Sequence, residues 1–241
     1  MKTLGIVAHS AEGATLCFNT ACRHGGERLR PFMHPHIVMS AIPMAYSIPA
    51  WQAGDHHEIA RHLAEGVHTV ARAGADFFIC PDNTAHIVLE QIAPDLPIPG
   101  LHMPEVVAAE IARNGWRTAG LLGTKWTMTG PVYERVLTTN GIAQLIPDAH
   151  TIERLNDAIF AELCRGVFRE PTINQFIKAA ESLKSRGAEC VILGCTEIPL
   201  IMNAENSPLP PLDSTRLLAR KAVDLCIDAV NWSARHGWIK Q

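Results

Sequence analysis

Two residues in this sequence, Asp82 and Cys195, are placed where a proton could be taken from a carbon atom or returned to it. A carboxyl and a thiol are both side chains that serve as general acid or base. Each is followed by polar residues, Asn83 and Thr84 in one case, Thr196 and Glu197 in the other. Each closes a short apolar run that reads as a buried strand, Asp76–Cys80 and Glu189–Leu193. Each also stands eight residues after the glycine of a Gly-Ala-acid triplet, Gly74-Ala75-Asp76 and Gly187-Ala188-Glu189.

That coincidence belongs to a longer internal repeat. Thr3-Leu4-Gly5-Ile6-Val7 echoes Thr118-Ala119-Gly120-Leu121-Leu122, and the glycine of each precedes Asp82 or Cys195 by 77 and 75 residues. Further strands are expected at Leu4–Ala8, His36–Ile42, Arg117–Leu122 and Ile142–Ile146. Helices are expected at Asp55–Ala73, Asn83–Ile92, Pro104–Arg113, Thr127–Asn140, Ile152–Arg165, Pro171–Arg186 and Asp213–Ala229. Pro171 suits a first helical turn, and Gly74, Gly115, Gly141 and Gly187 suit helix ends. Alternating strands and helices imply parallel sheets with helices on both faces. The chain therefore reads as an α/β protein of two related lobes: residues 1–100 with 212–241, and residues 101–211.

Ligands of open parallel sheets bind beyond the carboxyl ends of the strands. Two lobes facing each other would set Asp82 and Cys195 on opposite walls of one cleft. Helix N-termini behind them would offer backbone N–H groups to a carboxylate.

Cys80-Pro81-Asp82-Asn83-Thr84-Ala85-His86 is similar to the Pro-Cys-Asn-Thr-Ala-His motif of the aspartate/glutamate racemase family, part of the Asp/Glu/hydantoin racemase superfamily. Leu193-Gly194-Cys195-Thr196-Glu197-Ile198 resembles its second motif, and Gly120-Leu121-Leu122-Gly123-Thr124 with Thr127-Met128 also fits, as does Ile98-Pro99-Gly100-Leu101-His102. The resemblance implies a pseudo-twofold pair of lobes with the site between them, a homodimer, and no pyridoxal phosphate, metal or nucleotide. It implies two cysteines flanking a small carboxylic-acid substrate. Here Asp82 replaces the first of them; Cys80 aligns with Leu193 and reads as a core hydrophobe. Substrate-binding roles are expected for Asn83, Thr84 and Thr196, which add side-chain donors at the same helix ends, for Thr124 and Thr127, whose loop resembles a carboxylate-binding element, and for His9 and Ser10 in the opening loop. His86 is expected either to orient Asp82 or a substrate carboxylate, or to pack; Glu197 either to tune Cys195 or to cap the following helix.

The exchange of Cys for Asp matters energetically. With ordinary pKa values near ~3.9 and ~8.5, the carboxylate is the weaker base by about 6 kcal/mol, which burial could partly recover. Asp82 is thus open to three roles: second acid/base, holder of a substrate ammonium or hydroxyl, or part of a site that only binds. The overall reading is a cofactor-independent racemase acting at the α-carbon of a small (di)carboxylic amino acid such as aspartate or glutamate. The alternatives are a single-cysteine decarboxylase or isomerase of a small dicarboxylic acid, and a non-catalytic carboxylate binder. The opening loop Ala8–Thr15 and Leu218, where family members often carry histidine, depart from the family pattern.

Composition bounds these readings. Of 241 residues, 47% are hydrophobic and 19% charged, with a formal net charge of -3, which points to neither disorder nor a nucleic-acid or membrane partner. No apolar run approaches the ~20 residues of a membrane span. Seven cysteines, mostly in apolar stretches, suit a reducing, cytoplasmic setting without disulfides. His57 and His62 are five residues apart, so they do not share the helix face of a His-Glu-x-x-His zinc site.

Overall fold

The computed structural model describes residues 1–228 and 233–240. The chain forms two compact units, Met1–Met103 with Thr215–Gln241, and Pro104–Ser214. In chain order the first unit contains β1 (Leu4–Ala8), α1 (Ala11–Arg28), β2 (Ile37–Ala41), α2 (Met44–Ala53), α3 (His56–Arg72), β3 (Phe77–Ile79) and α4 (His86–Ile92). Helix α5 (Met103–Arg113) leads into the second unit: β4 (Thr118–Gly123), α6 (Lys125–Thr129), α7 (Pro131–Thr139), β5 (Ala143–Leu145), α8 (Ala149–Ala161), α9 (Glu170–Ser185), β6 (Cys190–Gly194) and β7 (Pro211–Asp213). Helix α10 (Ser214–Ile227) returns to the first unit, which ends in the hairpin of β8 (Ser233–Arg235) and β9 (Trp238–Lys240).

Both main sheets are parallel and share a topology. The first has order β2-β1-β3, extended beyond Phe78 by bridges through Gly100 to Trp238; the second has order β5-β4-β6-β7. The repeated sequence has a physical job in each. Gly74 and Gly187 end helices with φ of 93° and 99°, a conformation that favours glycine. The acid that follows ties down the neighbouring strand. Asp76 accepts the Thr3 N–H (2.7 Å), and Glu189 accepts the Arg117 and Thr118 N–H groups (2.6 and 2.9 Å). The strand glycines let a helix approach: a Cβ on Gly5 would lie 2.8 Å from Val70 of α3, and one on Gly120 would lie 2.9 Å from Leu183 of α9. Gly5 pairs with Phe78 and Gly120 with Val191. Asp82 and Cys195 each follow that partner by four residues, so each unit delivers its motif side chain from the same register.

The structure departs from the sequence expectations at several elements. Helix α1 carries a buried face of Gly13, Ala14, Cys17, Thr20, Ala21 and Gly25, small residues that give little hydrophobic periodicity. Helix α2 forms despite Pro49 in its interior, a residue that argues against a helix in sequence. The expected helix Thr127–Asn140 is two, broken at Gly130 (ψ 162°), with Pro131 starting α7. The helix expected from Asn83 starts at His86. The last of the expected helices ends at Ile227; its final residue, Ala229, lies outside the described residues. Pro211 opens β7, which is an edge strand, a position where its missing N–H is tolerated.

Gly123 and Gly194 are register partners at the carboxyl end of the second sheet, and a Cβ on Gly123 would lie 2.7 Å from the Gly194 carbonyl oxygen. Gly123→Ala should therefore cost about 1–3 kcal/mol in urea unfolding, since backbone must move. Gly26→Ala, in helix α1 with its nearest neighbour 3.8 Å away, should instead be neutral or stabilising by up to about 1 kcal/mol.

Candidate functional site

In the first unit, the loop after β3 presents Asp82. Its Oδ1 accepts the Ala85 N–H (3.2 Å), which shapes the turn into α4, and its Oδ2 lies 2.9 Å from His9 Nδ1 at the end of β1. His9 is almost wholly enclosed, with 4% of its side chain accessible against 24% for Asp82, so the carboxylate is the exposed member of the pair. Behind it, the buried Ser47 hydroxyl of α2 is 3.4 Å from His9 Nε2. Burial alone would push Asp82 up. The His9 hydrogen bond and charge outweigh it, together with the Ala85 N–H and the nearby His86, and the carboxyl is held below its ordinary value. The expectation that burial would make Asp82 a stronger base is corrected here: it is a well-ionised carboxylate.

His86 does not reach that carboxylate. Its Nδ1–H donates to the Asp82 carbonyl oxygen (2.9 Å), and its Nε2 accepts the Met103 N–H (3.2 Å). Those two bonds define a neutral imidazole. Burial, with His102 close by, pushes its pKa down to about 3. It stacks on Trp238 at 5.9 Å, and its role is to hold main chain. Asn83 and Thr84 are buried beside it. Ser10 caps α1 through the Gly13 N–H (3.0 Å).

In the second unit, Cys195 follows β6. Its thiol donates to Glu197 Oε2 (2.9 Å), which also accepts the Thr196 hydroxyl (2.9 Å). Glu197 is buried, and its Oε1 has no hydrogen-bond partner among the described residues. Burial first, then the Glu197 charge, raise Cys195 well above the ordinary thiol range, so it stands protonated at neutral pH. The helix expected after Cys195 is absent: only a 3-10 turn, Ile198–Leu200, follows, and the Glu197 side chain does not cap it. The expected anion site at a helix N-terminus has no basis there. Thr124 caps α6 by accepting the Thr127 N–H (3.2 Å), and the two hydroxyls are 3.1 Å apart. Lys125 reaches Glu153 at 3.5 Å.

The first unit thus gathers His9, Asp82 and Ser47, and the second gathers Cys195, Thr196 and Glu197. Ser47 carried no signal in sequence because α2 itself carried none. Cys80 is enclosed and, through burial, raised well above the ordinary thiol range, as suits a core residue. All seven cysteines are free. Among the described residues, no group of three or more His, Cys, Asp or Glu could hold a metal, and no helix is long and apolar enough to cross a membrane.

The family model for Asp/Glu/hydantoin racemases matches residues 4–222. The broad specificity amino-acid racemase RacX of Bacillus subtilis (strain 168) is 29% identical over 195 residues, covering 79% of this chain and 81% of RacX. A candidate Asp/Glu racemase from Yersinia pestis superposes with a TM-score of 0.84 at 28% identity, covering 94% of this chain and 100% of its own. An aspartate racemase homologue from Pyrococcus horikoshii OT3 gives 0.78 at 27% identity, covering 93% and 99%.

Two outcomes follow from the buried groups. His86 is neutral in the native state down to about pH 3, whereas in the unfolded chain it protonates near pH ~6.5. Its contribution to stability is present at pH 7 and is lost as pH falls below the unfolded value, by about 2 kcal/mol at pH 5. His86→Gln should lose correspondingly less between pH 7 and pH 5 in denaturant titrations. Glu197→Gln removes a charge that raises Cys195, so alkylation of Cys195 by iodoacetamide at pH 8 should be several-fold faster, on the order of the ~10-fold thiolate gain per pKa unit.

Proposed function

Because the chain belongs to the Asp/Glu/hydantoin racemase family, we propose that it racemises a free α-amino acid without a cofactor, with Asp82 taking the α-proton and Cys195 giving one. The observation that carries this reading is the complementary proton state of the two groups. Asp82 is ionised beside His9, and Cys195 is a thiol donating to Glu197. Racemisation by two groups needs one proton acceptor and one proton donor at the start of each turnover. The proton leaves the α-carbon for the Asp82 carboxylate, and the Cys195 S–H supplies its replacement. The product state is then Cys195 thiolate and Asp82 carboxylic acid. Ordinary pKa values place that state about 6 kcal/mol above the resting one, and the opposed shifts of the two groups widen the gap. The resting state must therefore be restored by proton exchange with solvent after each turnover. Asn83, Thr84, Thr124, Thr127 and Thr196 are proposed to receive the substrate carboxylate. RacX is named for broad specificity, so the substrate range to test extends past aspartate and glutamate to neutral amino acids.

The strong ionisation of Asp82 also favours a second reading. In it, Asp82 holds the substrate ammonium while Cys195 and Glu197 alone exchange the proton. Proton NMR in heavy water separates the two. On the first reading both enantiomers of a substrate lose their α-proton and racemise, one from the resting state and the other, by microscopic reversibility, from the higher-lying Cys195 thiolate with Asp82 as the acid. Asp82→Asn or Cys195→Ser each slows exchange by about 10²-fold or more. Exchange from one enantiomer without inversion would favour the second reading. Carbon dioxide released from substituted malonates, with no amino acid exchanged, would replace both with decarboxylation.

A further inference from the structure

We propose that His9 and Asp82 work as one unit, in which Asp82 meets the substrate and His9 is the positioning residue that orients its carboxylate from behind. This rests on the proposed amino-acid reading for its function, but its structural half stands by itself. Three observations lead to it. The pair is close, at 2.9 Å between Nδ1 and Oδ2. Its exposure is graded, with the carboxylate outward and the imidazole enclosed. Its far side is closed by Ser47, whose hydroxyl lies 3.4 Å from Nε2 and is itself buried. With its Nδ1 directed at Asp82 and its Nε2 toward Ser47, the ring is proposed to act on substrate through Asp82 rather than by direct contact. Facing a carboxylate oxygen, Nδ1 carries the proton, and that N–H spans Oδ2 while the Ala85 N–H spans Oδ1. Both carboxylate oxygens are thus held, while the side chain keeps 24% of its surface accessible.

The unit also compensates for the missing thiol. Burial at this position raises a carboxyl and so favours its protonated form, which neither accepts the α-proton nor attracts the ammonium. His9 prevents this. The titratable groups around Asp82 are His9 from the end of β1, His86 from α4, which is neutral and turned to the Asp82 carbonyl, and Cys80 from the end of β3, itself near Cys17 of α1. His9 is the group bonded to the carboxylate side chain.

The test compares His9→Asn, whose amide N–H occupies the position of Nδ1, with His9→Leu, which has no donor. Carbon-13 NMR of aspartate-labelled, ligand-free protein follows the Asp82 carboxyl, assigned through Asp82→Asn. In His9→Leu the Asp82 titration should move up by about 1 unit or more, and the acid limb of kcat/KM should move with it. At pH 7 His9→Leu should lose about 10- to 100-fold in kcat/KM with the loss mainly in kcat, and His9→Asn should recover most of it. An unmoved Asp82 titration in His9→Leu would overturn the unit, as would equal losses in both variants with an unchanged acid limb, the pattern of a purely structural residue. If wild-type protein exchanges no α-proton from any amino acid, the functional reading fails, whereas the carboxyl titration still decides whether His9 governs Asp82.

Discussion

The chemistry proposed for this protein depends on one constraint: Asp82 and Cys195 each have a hydrogen-bonded ionisable neighbour that dominates the charges around them and sets their proton state. Asp82 and Cys195 are both withdrawn from water, and burial disfavours the charged form of each. For Asp82 the opposing influence is His9, whose N–H reaches the carboxylate and prevails. For Cys195 the neighbour is Glu197, whose charge acts in the same direction as burial. One motif position is thereby kept ionised and the other kept protonated, although the two arise from the same repeat. On the proposed reading, aspartate can stand at this position because a carboxylate of lower intrinsic basicity is kept ionised and so available.

The scaffold delivers that arrangement through a small set of repeated contacts. An acidic residue after a left-handed glycine accepts the N–H groups at the start of the adjacent strand, Asp76 on Thr3 and Glu189 on Arg117 and Thr118. A strand glycine admits the covering helix, Gly5 under Val70 and Gly120 under Leu183. These contacts fix register, and a one-residue slip in a strand would turn its side chains to the opposite face. Asp82 and Cys195 then emerge at equivalent points because register is equivalent. The apolar strands β1, β3, β4 and β6 are enclosed on both sides, and side chains such as Phe77, Ile79, Leu122 and Leu193 leave them little freedom to shift.

The two sites differ in what supports them. Asp82 is braced through the main chain by His86 and through the side chain by His9 and the Ala85 N–H. Cys195 is followed by a short turn, and its support comes from Glu197 and from the glycine pair Gly123 and Gly194 at the strand ends. The buried Oε1 of Glu197, which has no hydrogen-bond partner among the described residues, is a polar atom that packing alone does not account for.

The sequence by itself determined the α/β class, the repeat, the strands carrying the motifs and the equivalent places of Asp82 and Cys195 after them, because buried parallel strands are continuous apolar runs and the motif glycines and acids have fixed local jobs. It did not disclose helices α1 and α2. The buried face of α1 is made of small residues, and α2 contains Pro49, so neither shows the pattern by which a helix is read. Nor did it disclose what His9, Ser47, His86 and Glu197 do. Their roles depend on which atom faces which partner: Nδ1 of His9 on a carboxylate, Nδ1 of His86 on a carbonyl, Oε2 of Glu197 on a thiol rather than on a helix end. His9 and Asp82 are separated by 73 residues, and only the tertiary structure decides that they meet, because hydrogen-bond direction and burial are properties of packed neighbours rather than of residue types.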